Sequence, residues 1–93
     1  MIKHLEITIT GKVQNVGFRY AALDEALELG LKGTVKNVER NGIHIEAEGE
    51  VEKLKLFLRW CHEGPKGAKI DKVDYASTEN LKNFEGFNIE FEE

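Results

Sequence analysis

Residues 11–19, Gly11-Lys12-Val13-Gln14-Asn15-Val16-Gly17-Phe18-Arg19, join a stretch of period two to a stretch of helical period. Upstream, Lys3 to Thr10 alternates, with Leu5, Ile7 and Ile9 on one face and His4, Glu6, Thr8 and Thr10 on the other, which predicts a half-buried strand. Downstream, Phe18, Ala22, Ala26 and Leu29 recur at helical spacing, Leu23 and Leu27 widen the stripe, and Gly30 offers a C-cap, so a first helix is expected over 18–29. The two glycines and one asparagine between them tolerate positive φ, which lets several amide N–H groups converge at the mouth of the helix. Arg19 falls in the first helical turn, where the helix dipole disfavours a cation unless something negative lies between them. The stretch therefore reads as a strand, loop and helix that receive a phosphate-sized anion.

Gly33 to Val38 reads as a second strand, and Glu39-Arg40-Asn41-Gly42 carries the Asn-Gly signal of a hairpin. Ile43, Ile45 and Ala47 alternate with His44, Glu46 and Glu48 in a third strand that Gly49 is expected to end. From Glu50 to Cys61 the period is helical again, with Val51, Leu54, Leu58 and Cys61 on one side and Phe57 beside them. His62 to Lys69, with Gly64, Pro65 and Gly67, forms a loop; Ile70, Val73 and Tyr75 suggest a fourth strand; Ser77 to Glu85 is a polar connection. Phe87, Ile89 and Phe91 alternate with Asn88, Glu90 and Glu92 in a last strand.

This order predicts one α+β domain over 1–93: a ferredoxin-like split βαβ sandwich, βαββαβ plus a C-terminal strand, with a mainly antiparallel sheet and two helices on one face. In that plan the first and third strands are central and the first two point the same way. Asn37, near the end of the second strand, then meets the sheet edge that receives the loop leading to Arg19.

Composition narrows the function classes. With 93 residues and 41% hydrophobic content, the chain buries roughly 60 to 70% of its unfolded surface, enough for one modest core. A formal net charge of −4 argues against nucleic acid as a partner, since a basic footprint is the usual requirement. Any anion site must be locally built. The single cysteine, Cys61, excludes an internal disulfide, and the chain shows neither a signal-peptide pattern nor an apolar run of membrane-spanning length. A reducing, cytoplasmic setting and no membrane partner are the expectation.

Other chemistries find little support along the chain. His4, His44 and His62 lack ligand spacing, so no metal site and no cofactor is expected. Cys61 occupies an apolar helical position without an adjacent base and reads as a buried structural thiol. Ser77, the only serine, lies far from any histidine, so a serine triad has no basis. The loop itself is neither a P-loop nor a dinucleotide fingerprint. It gains meaning from Arg19, whose planar donor fork matches phosphate oxygens, and from Asn37, a neutral amide able to position water.

Together these motifs resemble the acylphosphatase family. Residues 11–19 resemble its phosphate-loop signature, and Gly33-Thr34-Val35-Lys36-Asn37 with Gly42, Ile43 and Gly49 resembles its second signature. Gly64 to Val73 is similar to the family's loop into its fourth strand, and Gly86-Phe87-Asn88-Ile89 to its closing strand. The chain departs from the family at Asn15, where glycine is usual, and at Thr34, where an aromatic is usual. Asparagine is, after glycine, the residue that best tolerates left-handed backbone.

The resemblance implies metal-independent hydrolysis of an acyl phosphate to a carboxylate and inorganic phosphate. It assigns catalysis to Arg19 and Asn37, and phosphate binding to the backbone amides of Asn15, Val16, Gly17, Phe18 and Arg19. Elementary chemistry agrees: a carboxylate with a conjugate-acid pKa near ~4 leaves without a proton, so no general acid or metal is required. A monomer acting on a small-molecule acyl phosphate is expected. An alternative within the family is a catalytically weak module that binds phosphate or carbamoyl phosphate, as in larger multidomain maturation enzymes. An RNA-binding domain of the same fold is disfavoured, because His4, Glu6, Thr8, His44, Glu46 and Glu48 are expected on the exposed sheet face where stacking aromatics would be needed. A dimeric regulatory domain gives Arg19 no reason to stand beside the loop.

Overall fold

The computed structural model describes residues 1–91. The elements run β1 (Ile2–Lys12), α1 (Phe18–Glu28), β2 (Lys32–Val38), β3 (Gly42–Glu50), α2 (Val51–Glu63), β4 (Lys69–Thr78) and β5 (Phe87–Glu90). They form a five-stranded sheet in the order β4-β1-β3-β2-β5. Neighbours are antiparallel except β2 and β5, which are parallel. The ferredoxin-like α+β plan is thus the observed one, with β1 and β3 inside the sheet.

Alternation decides which face is dry. Leu5, Ile7 and Ile9 of β1 and Ile43, Ile45 and Ala47 of β3 are buried together with Phe18, Ala22 and Ala26 of α1 and Leu54, Phe57 and Cys61 of α2. Both helices therefore cover one side. Phe57 is the junction of this core: its ring meets Trp60 at 6.0 Å and Phe87 at 6.2 Å, while Trp60 meets Phe18 at 5.3 Å. Such pairs add about 0.5–1.5 kcal/mol each beyond their buried area. They tie α2 to the last strand and to the residue that opens α1.

Some boundaries differ from expectation, each for a local reason. Leu27 is 56% exposed rather than part of the apolar stripe. It lies about 100° round the helix from Ala26, beyond the edge of the buried stripe, whereas Leu23 and Leu29 pack partly against the core. β3 continues through Gly49 to Glu50, because Lys3 and Ile2 of β1 supply partners there. α2 runs on to Glu63 before Gly64, with φ 68, closes it. β4 extends from Lys69 to Thr78 along the length of β1. Phe91 leaves the last strand, and the alternation expected at Glu92 lies outside the described residues.

The larger correction concerns the face without helices. His4 and Glu48, expected to be exposed there, are 3% and 6% exposed. The cause is the connection from β4 to β5. β4 and β5 lie at opposite edges of the sheet, about 19 Å apart at normal strand spacing. The eight residues 79–86 span at most about 30 Å between their flanking residues, so they run close to the surface they cross. The helices occupy the other side. As the connection passes, the backbone N–H groups of Lys82 and Asn83 donate to the Glu48 carboxylate at 2.6 and 3.0 Å. Phe84 stacks on the His4 ring at 6.1 Å.

Burial alone would push the Glu48 carboxyl up. The N–H of Lys82, the His4 ring and the N–H groups of Asn83 and Phe84 outweigh it and hold the group below its ordinary value. A carboxyl lowered in the folded state contributes stability that is present above its unfolded value and is lost as pH falls through the lowered one. Glu48→Gln turns one acceptor into a donor facing those amides and should cost about 2 kcal/mol in urea unfolding at pH 7. The difference from the unsubstituted chain should shrink as the pH is taken below about 4.

Candidate active site

The loop between β1 and α1 is fixed at both ends by apolar side chains. Val13 is fully buried and Phe18 is 1% exposed. The ladder of β1 with β4 shifts register between Thr10 and Gly11, and Gly11 takes φ 141 at a point where a Cβ would strike the Lys69 carbonyl oxygen. Between the two anchors, Asn15 and Gly17 adopt φ 64 and 75. Alternating left-handed residues turn successive N–H groups toward one side, the geometry that binds anions. Asn15 thus takes the backbone conformation for which glycine is the usual choice.

The mouth of α1 is prepared for negative charge and supplies none of its own. Gly17 is the N-cap, no side chain caps the helix, and the first turn holds no acidic residue. The first-turn N–H groups and the positive end of the dipole therefore lack a side-chain acceptor. Arg19 is partly exposed, and its guanidinium carbon lies 5.1 Å from the centroid of the Phe91 ring. That cation–π contact draws the side chain back along the helix toward the last strand.

Asn37 pairs with Ile43 near the end of β2 and shares a face with Val35, the side on which the helices lie. Its Oδ1 is buried and accepts no hydrogen bond among the described residues. A buried acceptor of this kind normally has a partner, and a water or ligand atom is the remaining kind available.

The residue that brings loop and strand end together is Gln14, which has no role in the reading of the sequence. Its Nε2 lies 3.2 Å from the carbonyl oxygen of Val38, 3.0 Å from that of Glu39 and 3.0 Å from that of Gly42. With two hydrogens for three acceptors, at least one of these bonds is shared. The Gly11 N–H adds a bond to the Asn41 carbonyl at 3.0 Å. The loop is therefore stitched to the hairpin immediately beyond Asn37. Three carbonyls converging on one amide leave no periodic trace in a sequence.

Cys61 is buried, and its thiol is pushed far up by burial and secondarily by Glu25, so it is inert. His62 Nδ1 lies 2.9 Å from the Leu58 carbonyl, one turn earlier in α2.

The acylphosphatase family model matches residues 5–89, a span that includes the loop, Arg19 and Asn37. The chain belongs to the acylphosphatase family. It is 38% identical over 85 residues to an acylphosphatase of Anaeromyxobacter dehalogenans, covering 91% of each chain. Among solved structures, an acylphosphatase from Bacillus subtilis superposes with a TM-score of 0.90 at 31% identity, over 96% of this chain and 98% of that one. Full-length HypF, solved in a phosphate- and nucleotide-bound form, gives a TM-score of 0.87 at 36% identity, over 96% of this chain but only 12% of HypF. An acylphosphatase-like unit thus exists both alone and within a much longer protein. Among the described residues, no helix is long and apolar enough to cross a membrane.

Gln14→Ala removes the stitch without touching the amides of residues 15–19. It should lower stability by about 1–2 kcal/mol in urea unfolding. It should also weaken inorganic phosphate binding, measured by calorimetry, because the loop is no longer held against β2.

Proposed function

We propose that this chain hydrolyses acyl phosphates, with the amides of residues 15–19 and the Arg19 guanidinium holding the phosphoryl group and Asn37 orienting the attacking water. The observation that carries this reading is the uncapped, carboxylate-free mouth of α1, stitched by Gln14 to the strand end that bears Asn37. Backbone donors already aimed at the phosphoryl oxygens stabilise charge without reorganising as the reaction proceeds. The guanidinium adds a bidentate clamp once it exchanges the Phe91 ring for oxygen ligands. Asn37 Oδ1 accepts a hydrogen bond from the water and turns the oxygen lone pair toward phosphorus, in line with the departing carboxylate.

No proton need be delivered to that leaving group, since its conjugate acid has a pKa near ~4. The substrate's own phosphate accepts the proton that water loses. An alkoxide from a phosphate monoester would instead need a general acid, and none stands in the loop. The domain acts as a monomer on a small soluble substrate, in a reducing, cytoplasmic setting consistent with its single buried thiol.

The likeness to a segment of HypF supports a second reading, a module that binds phosphate or carbamoyl phosphate and turns it over poorly. Steady-state assays in the presence of chelator separate the two. The hydrolase reading expects rapid turnover of an acyl phosphate and none of a phosphate monoester. Arg19→Ala should lower kcat/KM by about 10²–10³-fold or more and weaken competitive inhibition by phosphate. Asn37→Ala should lower kcat by about 10²-fold with phosphate inhibition nearly unchanged. Full activity in either folded variant would sink the role given to that residue. Asn15→Gly should preserve or raise turnover, because the observed φ of 64 needs no asparagine side chain.

A further inference from the structure

The polar face of the sheet holds an arrangement that the anion site does not use. Glu6 stands directly opposite Glu46 in the β1–β3 ladder, and His4, opposite Glu48, is the diagonal neighbour of Glu46. Like charges directly opposed on one face are destabilising unless a cation lies between them. His4 is 3% exposed, and its Nδ1 lies 2.6 Å from Glu48 Oε2. Glu48 also accepts the N–H groups of Lys82 and Asn83, so it acts as acceptor throughout and the shared proton sits on Nδ1.

In the neutral form of the buried ring, Nε2 then presents a lone pair. It has no hydrogen-bond partner among the described residues and lies 3.2 Å from Glu46 Oε1. Two electron-rich atoms face each other at the separation expected of neighbouring ligands on one ion: bonds of about 2.0–2.1 Å at a tetrahedral angle place such atoms about 3.3 Å apart. Ligand atoms of His4, Glu6 and Glu46 all lie within 4.8 Å of one another.

We propose that His4 Nε2, Glu46 and Glu6 form a three-ligand site for a divalent transition-metal ion of the Zn²⁺ class, remote from the anion loop and independent of hydrolysis. One imidazole and two carboxylates suit such an ion better than Mg²⁺ or Ca²⁺, which prefer oxygen alone, and better than soft ions, which seek sulfur. Glu48 is the positioning residue: its bond to Nδ1 fixes the tautomer and orientation of the ring, the usual arrangement behind a metal-binding histidine. The fourth position opens toward solvent on the side of the exposed Glu6. Lys82 is the intramolecular competitor, its Nζ 2.6 Å from Glu46 Oε1 on a side chain that is 59% exposed. Such a side chain can swing out when a doubly charged ion arrives. His44, with Nε2 3.8 Å from Glu6 Oε1, would hold the far side of that carboxylate.

The test uses the full chain after chelator treatment, with Zn²⁺ titrated against a chromophoric chelator and Co²⁺ followed by its visible absorption bands. One ion should bind per chain, with Co²⁺ bands of a four- or five-coordinate site. Glu46→Gln and Glu6→Gln should each weaken binding by about tenfold or more, and Glu48→Gln by about 10–100-fold. Lys82→Ala should tighten it, and His62→Ala should leave it unchanged. Zn²⁺ should raise the Tm of the unsubstituted chain and fail to do so in Glu46→Gln. Unchanged acyl-phosphate hydrolysis by Glu46→Gln and Glu6→Gln shows that they are folded, so their loss of metal cannot be unfolding. Two results would overturn the site: no binding at about 10 μM protein and metal, which would mean that Nε2 carries a proton instead, or binding that both substitutions leave intact.

Discussion

Ile7 lies opposite Ile45 in the central ladder, both with no exposed surface, and the structure depends on that register. A slip of one residue would turn Leu5, Ile7 and Ile9 to the polar side and present His4, Glu6 and Thr8 to the helices, so alternatives are heavily penalised. The register then sets both ends of the molecule. At one end, Thr10 faces Gly42, which brings the β2–β3 hairpin beside the residues leaving β1. At the other, His4 faces Glu48 on the side without helices. The anion loop and the polar cluster are opposite consequences of one hydrophobic pairing.

At the loop end, strand register brings elements near one another but does not make a site. A connection containing Gln14, Asn15 and Gly17 could adopt many conformations, and ordering each residue costs roughly 1–2 kcal/mol. Val13 and Phe18 limit that freedom by burial, and Gln14 limits it further by binding three carbonyls of the hairpin. Under the proposed function, preorganisation of this kind sets the amide donors before substrate arrives, which is where electrostatic catalysis draws its strength. The arrangement is strong in donors and has no proton-delivering group, so an activated phosphoryl donor is the chemistry it fits.

Much of this was legible in the sequence because it rests on short-range rules. The alternation of 3–10 and 43–48, the Asn41-Gly42 turn and the apolar spacing of α2 each express a local period, and the strand–loop–helix at 11–19 carries its own turn chemistry. What escaped reading has long-range causes. Glu48 is buried because residues 79–86 must cross the sheet between its two edges, a fact of topology rather than composition. The meeting of His4, Glu6 and Glu46 is a cross-strand event, invisible to spacing along a single segment. Gln14 looks like any polar loop residue until the hairpin folds against it. Phe91, outside its expected strand, meets a guanidinium 72 positions earlier in the chain, again a contact with no local period.

The net charge of −4 is not spread evenly over the sheet. Glu6 and Lys12 belong to the same strand, six positions apart, so the carboxylates facing each other at Glu6 and Glu46 stand about 20 Å along the sheet from the start of the loop. That is more than two Debye lengths at physiological ionic strength, and their field at the loop is largely screened. Burial would push the Glu46 carboxyl up, but the hydrogen bond and charge of Lys82 outweigh it, hold the group lower and neutralise part of the cluster locally. At the mouth of α1, by contrast, the first turn contains no carboxylate to compete with substrate. The field at the mouth of α1 is therefore set by the distribution of charge within a few ångströms, and the overall sign of the protein has little bearing on it.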